Sequence, residues 1–131
     1  MNSEDLNFTI QSFSSIDSTN SYAHKLLSNK KAKEGLVIKT DLQKSGKGQR
    51  QNSWESENGK NLLISIILFH RINISQQFLL SKMTALAIKD LLDSLSVGNV
   101  SIKWPNDILV KEKKIAGVLI ENSIEGHKIV N

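Results

Sequence analysis

Several residue types are scarce or missing in this chain of 131 residues, and each absence excludes a class of protein. There is no cysteine, which excludes a disulfide framework, a thiolate metal site and a cysteine nucleophile. The three histidines, His24, His70 and His127, are scattered and show no metal-ligand spacing. No stretch reaches the roughly 18 consecutive apolar residues of a transmembrane helix. The N-terminal residues have neither a basic start nor an apolar run, so a cytoplasmic protein without membrane association is the default expectation.

The composition that remains is that of a folded, water-soluble protein. Apolar residues make up 39% of the chain and charged residues 23%. The length predicts one domain covering residues 1–131. Seventeen Lys and Arg against thirteen Asp and Glu give a formal charge of +4, but these residues are spread along the chain. This distribution favours anionic ligands in general without indicating nucleic acid.

The first half of the chain predicts strands around one short helix. Residues 8–16 alternate loosely as a strand, and residues 17–29 have helical spacing behind the capping residues Asp17 and Ser18. Residues 34–40 read as a second strand. Residues 42–60 show no periodicity and predict a long loop. Residues 61–69 are nearly all apolar, which indicates a central strand covered on both faces.

The second half predicts one long helix followed by short strands. Residues 75–96 form a helix behind Ser75, and its core-facing residues are expected to be Leu79, Met83, Leu86, Ala87 and Leu91. Residues 99–121 then read as an antiparallel meander with tight turns, and residues 127–131 as a last strand. The expected fold class is α+β, a mixed or antiparallel sheet with helices packed against it.

The segment "QKSGKGQRQNSW", residues 43–54, is the first candidate binding element. Gly46 and Gly48 let backbone N–H groups approach a ligand closely, and Lys47 and Arg50 supply cations for an anionic oxygen such as that of a phosphate. The pattern is neither a Rossmann fingerprint, because Gln51 stands at the third glycine position, nor a Walker loop. A flexible basic loop without a ligand is the alternative reading.

The segment "DSTN", residues 17–20, is the second candidate. Ser18, Thr19 and Asn20 crowd hydroxyl and amide groups into one helical turn, where they can donate and accept hydrogen bonds to a neutral polar ring. Simple helix capping explains the same residues.

Two further candidates lie in the predicted meander. In "KWPNDILV", residues 103–110, the side chains of Lys103, Asn106 and Asp107 cluster at a strand end, although a self-capped turn explains most of this pattern. In "KKIAGVLIE", residues 113–121, Lys114 precedes a strand that contains Gly117, and glycine within a strand often marks close approach of a ligand. A hairpin with a solvated lysine turn is the alternative.

Taken in order, these four segments resemble the successive signature motifs of biotin protein ligases, from about Ile16 to the last residue. The resemblance implies the class II aminoacyl-tRNA synthetase-like fold of the biotin and lipoate ligases. It also implies a two-step reaction, in which biotin and MgATP give biotinyl-5'-AMP and pyrophosphate. A lysine of a biotin carboxyl carrier protein, the acetyl-CoA carboxylase subunit, then takes the biotinyl group.

The resemblance also implies residue roles. Lys114 is the expected catalytic residue, Asp107 the expected Mg²⁺ ligand, and Trp54 is expected to stack near the adenine. The expected biotin-binding residues are Ser18, Thr19, Asn20, Gln43, Gly46, Lys47, Gly48, Gln49, Lys114 and Gly117. The expected nucleotide-binding residues are Lys47, Arg50, Trp54, Lys103, Asn106 and Asp107.

The chain departs from the family pattern in several ways. Lys47 replaces a usual arginine and loses its bidentate fork, and Gln51 replaces a usual glycine.

The family continues with a glycine-rich strand, further helices and a small C-terminal β domain, so about half a ligase is expected here. The winged helix of repressor-type members is missing, so DNA binding is not expected. The last strand is expected to lack a neighbour, leaving an open apolar edge that favours self-association, for example as a homodimer. A lipoate ligase-like enzyme and a non-catalytic biotin or nucleotide binder remain alternatives.

Overall fold

The computed structural model describes residues 7–131, and residues 1–6 lie outside the described residues. The chain divides into two compact units, Met1–Phe69 with Asn131, and His70–Val130. That residues 1–131 act as one domain stays a prediction. Helices and strands occur in both units, as expected for the α+β class. No helix in residues 7–131 has the length and hydrophobicity needed to cross a membrane.

The first unit is built on a three-stranded sheet. It contains β1 (Thr9–Phe13), α1 (Thr19–Ser28), β2 (Leu36–Thr40), β3 (Gly46–Lys47), β4 (Ser53–Trp54) and β5 (Leu63–Ile67). The strand order is β1-β2-β5, with β1 parallel to β2 and β5 antiparallel to it. Ala23 of α1, Ile38 of β2 and Ile67 of β5 form the buried core of this unit. Helix α1 therefore packs on one face of the sheet.

Strand β5 corrects one expectation from the sequence. It lies at the edge of its sheet in the described structure, not at the centre. Leu63 and Ile67 are buried, whereas Ile64 and Ile66 are 40% and 47% exposed. Successive side chains of a strand point to opposite faces, so an unbroken apolar run does not require that both faces are covered.

The segment 42–60 is also more ordered than predicted. Strands β3 and β4 pair in antiparallel fashion, with Gly46 opposite Trp54 and Lys47 opposite Ser53. A short 3-10 turn, Gln49–Gln51, connects them. We call residues 46–54 the glycine ribbon.

The second unit contains the long helix and two further sheets. Its elements are β6 (Ile72–Asn73), α2 (Gln77–Ser94), β7 (Val100–Lys103), β8 (Asp107–Val110), β9 (Lys113–Gly117), β10 (Ile124–Glu125) and β11 (Lys128–Ile129). Strands β7, β8 and β9 form the predicted antiparallel meander, and α2 packs against β7 and β8. The peptide bond between Trp104 and Pro105, in the turn between β7 and β8, is cis.

The start and the buried face of α2 differ from the prediction. Asn73 and Gln76, rather than Ser75, form a capping box around the 3-10 turn Ile74–Gln76 that precedes the helix. The buried residue of α2 is Ala85. The five residues expected in the core are all exposed: Leu79, Met83, Leu86, Ala87 and Leu91. Apolar residues occur on more than one side of this helix, so periodicity alone did not identify the packed face.

The last strand is not an open edge. Strand β11 lies between β10 and β6 and pairs in antiparallel fashion with both. Ile129 of this strand is fully buried. The expectation of an unpaired apolar last strand is therefore wrong, because pairing with residues 72–73 is a long-range contact that the local sequence does not reveal.

Candidate functional site

The start of α1 carries a buried cluster of polar side chains. Ser18 is the N-cap of the helix, as predicted, and its Oγ accepts a hydrogen bond of 3.3 Å from the Ser21 N–H. Ser18 and Thr19 are only 3% and 5% exposed. Burial of a hydroxyl without a hydrogen bond is unfavourable, so these two residues need hydrogen-bond partners.

Gln43 is the main partner of Thr19. The Gln43 Oε1 atom accepts two hydrogen bonds from Thr19, one of 2.8 Å from the backbone N–H and one of 3.0 Å from the hydroxyl. Both donors hold the amide oxygen toward α1, so the amide nitrogen points away from Thr19. These hydrogen bonds join two residues that are 24 positions apart in the sequence. That both residues bind biotin stays a prediction.

Backbone pairing explains why Gln43 reaches the helix start. Ile16 and Gln43 form a parallel bridge. The N–H of Lys44 donates to the Ile16 carbonyl at 2.9 Å, and the N–H of Ser45 donates to the Asp17 carbonyl at 2.8 Å. The segments before α1 and before the glycine ribbon are therefore held side by side.

Gly46 is fitted closely into this arrangement. A Cβ atom at this position would lie 2.4 Å from the Trp54 carbonyl oxygen and 2.8 Å from Gln43 Nε2. Both distances are shorter than real carbon contacts, so no larger residue fits without a shift of the ribbon. Glycine is required here by close approach.

The tip of the glycine ribbon is conformationally unusual. The Gly48 N–H donates to the Asn52 carbonyl at 2.7 Å and closes the turn. Arg50 and Gln51 have φ angles of 52° and 66°, in the left-handed region that favours glycine. Lys47 and Arg50 are exposed, Trp54 is half-buried, and Gln49 lies in the turn. The ribbon thus carries two exposed cations and a half-buried indole, and its Gly46 lies beside the Gln43 amide.

Ser65 belongs to the cluster but was not predicted from the sequence. It lies on β5, is 8% exposed, and its Oγ is 2.7 Å from Thr19 Oγ1. It also contacts the Asn20 Oδ1 atom. A usable signal was present, because Ser65 is the only polar residue in the run 62–68, "LLISIIL". A single hydroxyl on the buried face of an apolar strand needs a partner.

The remaining predicted site residues lie in the second unit, and all of them except Lys114 lie at one end of the meander. In the strand register, Lys103 of β7 stands opposite Asp107 of β8, which stands opposite Gly117 of β9. The Asn106 carbonyl accepts a hydrogen bond of 2.9 Å from the Val118 N–H. That these residues form one site with those of the first unit stays a prediction.

Lys114 and Asp107 form an ion pair, with 2.7 Å between Nζ and Oδ1. Their side chains are 40% and 20% exposed, so the pair is partly open to solvent. A β-bulge between Ile108 and Leu109 shifts the register of β9, and bulges commonly change the direction of a side chain near a site.

Metal-binding capacity is limited in the described part of the chain. No three His, Cys, Asp or Glu side chains among these residues are grouped so that they could hold a metal ion. Asp107, the expected Mg²⁺ ligand, could supply one carboxylate oxygen. Mg²⁺ usually keeps several waters and binds through one or two carboxylates and substrate phosphates, so a single carboxylate is compatible with an ion delivered by a nucleotide.

Comparison with known proteins places the chain in a family. Residues 12–130 match the model of the biotin/lipoate A/B protein ligase family. The bifunctional ligase/repressor BirA of Bacillus spizizenii is 33% identical over 87% of the chain, and the chain spans 35% of that protein. The biotin--[acetyl-CoA-carboxylase] ligase of Paracoccus denitrificans is 34% identical over 84% of the chain and 45% of its own length.

A solved structure agrees with this assignment. The biotin acetyl coenzyme A carboxylase synthetase of Helicobacter pylori, crystallised with bound biotinylated ATP, superposes with a TM-score of 0.71 at 27% sequence identity. The superposition covers 95% of this chain and 58% of that one. The chain thus spans about a third to three fifths of the length of these proteins. The chain belongs to the biotin/lipoate A/B protein ligase family.

Proposed function

We propose that this chain carries the biotin-activating part of a biotin protein ligase. The observation that supports this most strongly is the buried contact of Thr19 with Gln43 beside the glycine ribbon, in a member of the biotin/lipoate ligase family. In this proposal biotin and MgATP react to biotinyl-5'-AMP and pyrophosphate. The biotinyl group then passes to a lysine of a biotin carboxyl carrier protein.

The polar cluster at the start of α1 is the proposed site for the biotin ring. Biotin's ureido group contains one carbonyl and two N–H groups, so it needs acceptors and donors together. The start of α1 and the adjacent segment supply both kinds of group, as the hydroxyls of Ser18 and Thr19 and the amides of Asn20 and Gln43. Ser18 and Thr19 are buried, and the exclusion of water there strengthens a hydrogen bond to a ligand.

The glycine ribbon is the proposed cover of the reacting groups. Gly46, Lys47, Gly48 and Gln49 would bring backbone N–H groups and one cation to the biotin carboxylate and the α-phosphate. Trp54, half-buried beside them, would stack near the adenine. Arg50 at the exposed tip would bind the phosphates.

The chemical step needs orientation and charge neutralisation. A carboxylate oxygen of biotin attacks the α-phosphorus of ATP, the bond to the bridging oxygen breaks, and pyrophosphate leaves. Two anions must therefore approach in line, and a fixed cation offsets the charge that develops. Lys114 is the proposed cation, with Gly117 leaving room for the substrate. In the second step the carrier lysine attacks the biotinyl carbonyl carbon, AMP leaves, and the lysine amine releases a proton.

The end of the meander is the proposed nucleotide side. Lys103, Asn106 and Asp107 would contact the nucleotide, and Asp107 would provide one oxygen to Mg²⁺. When bound, this ion would neutralise phosphate charge. Asp107 is already paired with Lys114, so its carboxylate would have two positively charged neighbours, Lys114 and Mg²⁺.

The test is a biotin-dependent assay. The chain is incubated with radiolabelled biotin and MgATP, and biotinyl-AMP is separated by thin-layer chromatography. A parallel reaction receives a carrier-protein domain and follows label transfer to its lysine. Lipoate replaces biotin in a third reaction, because the family includes ligases for both acids. Preferential use of lipoate, or biotin binding in calorimetry without any adenylate, would replace this proposal by one of the two alternatives.

A further inference from the structure

We propose that Ser65 is a positioning residue that fixes Thr19, Asn20 and Gln43 in the arrangement that binds the ligand, an inference that rests on the proposed function. Ser65 touches no residue of the glycine ribbon in the described contacts. It acts from β5, on the side of Thr19 opposite to Gln43 in the hydrogen-bond chain.

The Ser65 hydroxyl is buried among apolar side chains and therefore needs hydrogen-bond partners. It occupies the inward face of β5 between Leu63 and Ile67, which are 6% and 4% exposed. A hydroxyl in this position is unfavourable for packing compared with an apolar side chain, unless its hydrogen bonds repay the desolvation. Both hydrogen-bond neighbours of Ser65 are residues of the candidate biotin site.

Each hydroxyl has one proton, so the donor and the acceptor of each hydrogen bond in the cluster can be assigned. The Thr19 hydroxyl has one proton, which it donates to Gln43 Oε1. Thr19 Oγ1 is therefore an acceptor for Ser65, at 2.7 Å. The Ser65 hydroxyl also has one proton, which is shared between its two acceptors, Thr19 Oγ1 and Asn20 Oδ1. Ser65 therefore ties both of these side chains to β5.

The consequence extends to the Gln43 amide. When Thr19 Oγ1 accepts the hydrogen bond from Ser65, the Thr19 hydroxyl proton points to Gln43 Oε1. The Gln43 Nε2 atom then faces away from Thr19. That nitrogen lies near Gly46, 2.8 Å from where a Cβ would be. Without Ser65, the Thr19 hydroxyl can rotate and the amide loses one of its two orienting bonds. Ser65 thus selects which face of Gln43 meets the ligand.

The experiment compares substitutions that differ only in the hydroxyl. Ser65→Thr and Ser65→Val have the same shape, but only threonine keeps the hydroxyl, and Ser65→Ala is the simple deletion. Thr40→Val is the matched control, because Thr40 is 1% exposed and lies on β2 of the same sheet, with its hydroxyl bonded to the Leu42 carbonyl. Each protein is titrated with biotin by calorimetry, and kcat and KM for biotinyl-AMP formation are measured.

We expect Ser65→Ala and Ser65→Val to raise the biotin Kd about tenfold, the loss typical of one buried hydrogen bond. KM should rise in proportion and kcat should change much less. Ser65→Thr should restore the affinity, and Thr40→Val should lower the thermal midpoint without changing Kd. Equal Kd values for Ser65→Thr and Ser65→Val, or an equal effect of Thr40→Val, would overturn the positioning role.

A second measurement decides the inference independently of biotin. The side-chain amide signals of Gln43 in a ¹⁵N NMR spectrum report the hydrogen bond to its oxygen. They should move in Ser65→Val and stay in place in Ser65→Thr and Thr40→Val. If the parent chain binds no biotin, the proposed function fails, and unmoved Gln43 signals in Ser65→Val would then separately overturn the inference. Ser65→Cys, close to serine in size, replaces Ser65→Val if that variant does not fold.

Discussion

Lys114 of β9 and Asp107 of β8 are joined by an ion pair of 2.7 Å although they are not opposite each other in the strand register. The residue opposite Asp107 is Gly117, which has no side chain. The Asp107 carboxylate instead forms its ion pair with Lys114, which lies earlier on β9. The ion pair holds the ammonium group against the end of β8. A fixed cation of this kind stabilises developing negative charge without reorganisation.

Replacement of Lys114 by alanine should slow biotinyl-AMP formation more than it weakens biotin binding. Loss of one electrostatic group of this type costs about 3 kcal/mol in the transition state, or about a hundredfold in rate. Single-turnover rates and calorimetric affinities measure the two effects separately. Lys113→Ala is the control, since Lys113 is the exposed neighbour on the same strand. Unchanged turnover in Lys114→Ala would contradict the assigned role.

Replacement of Asp107 by asparagine should affect rate more than stability. The ion pair is partly exposed, so it contributes about 1 kcal/mol or less to folding. The rate of adenylation should nevertheless fall, because Lys114 loses the carboxylate that holds it. Urea unfolding and adenylation rates of the same preparation test both statements. A large loss of stability with normal adenylation by the remaining folded protein would reverse this interpretation.

Local signals in the sequence were sufficient for parts of the fold. The start of α1 was predicted because Ser18 is a strong capping residue, and the structure confirms its side-chain hydrogen bond. The meander was predicted because three short apolar runs are separated by turn residues. The turn between β8 and β9 indeed contains Lys111 and Glu112 at positive φ, as a tight hairpin requires.

The features that were missed depend on long-range contacts. The partner of Ser65 lies 46 positions away, and β11 pairs with β6 across more than fifty residues. Neither contact leaves a periodic pattern in the local sequence. The buried face of α2 was missed for another reason, because Leu79 and Leu86 are apolar but exposed, at 46% and 53%. Apolar spacing identifies a helix more reliably than it identifies the packed side of that helix.

Replacement of Gly46 by alanine should distort the glycine ribbon. The added Cβ would lie 2.4 Å from the Trp54 carbonyl oxygen, and such overpacking costs about 1–3 kcal/mol. The free energy of unfolding and the affinity for biotin should both fall. Gly98→Ala is the matched control, because a Cβ there meets nothing within 4 Å. If the two substitutions had equal effects, close approach would not be the reason for glycine at position 46.

Replacement of Gln51 by glycine should relieve strain at the ribbon tip. A non-glycine residue in the left-handed region costs about 1–2 kcal/mol, while glycine adds about 0.5–1 kcal/mol of unfolded-state entropy. Because Gln51 has a φ of 66°, the two contributions nearly cancel, and stability should stay equal or rise slightly. Gln49→Gly, at a position without positive φ, should instead destabilise the chain. Denaturation midpoints of both variants provide the comparison, and a greater loss in Gln51→Gly would show that its conformation is unstrained.

Replacement of Ile129 by alanine should destabilise the second unit strongly. Ile129 is fully buried at the centre of the β10-β11-β6 sheet, and removal of a buried isoleucine side chain to alanine costs about 2–5 kcal/mol. Ile124 on the neighbouring strand β10 is 52% exposed, so Ile124→Ala should cost much less. Chemical denaturation followed by the fluorescence of Trp104, with Trp54 replaced by phenylalanine in all variants, reports on this unit. If β11 were instead a loosely attached edge strand, as the local sequence indicated, the two substitutions would have similar and small effects.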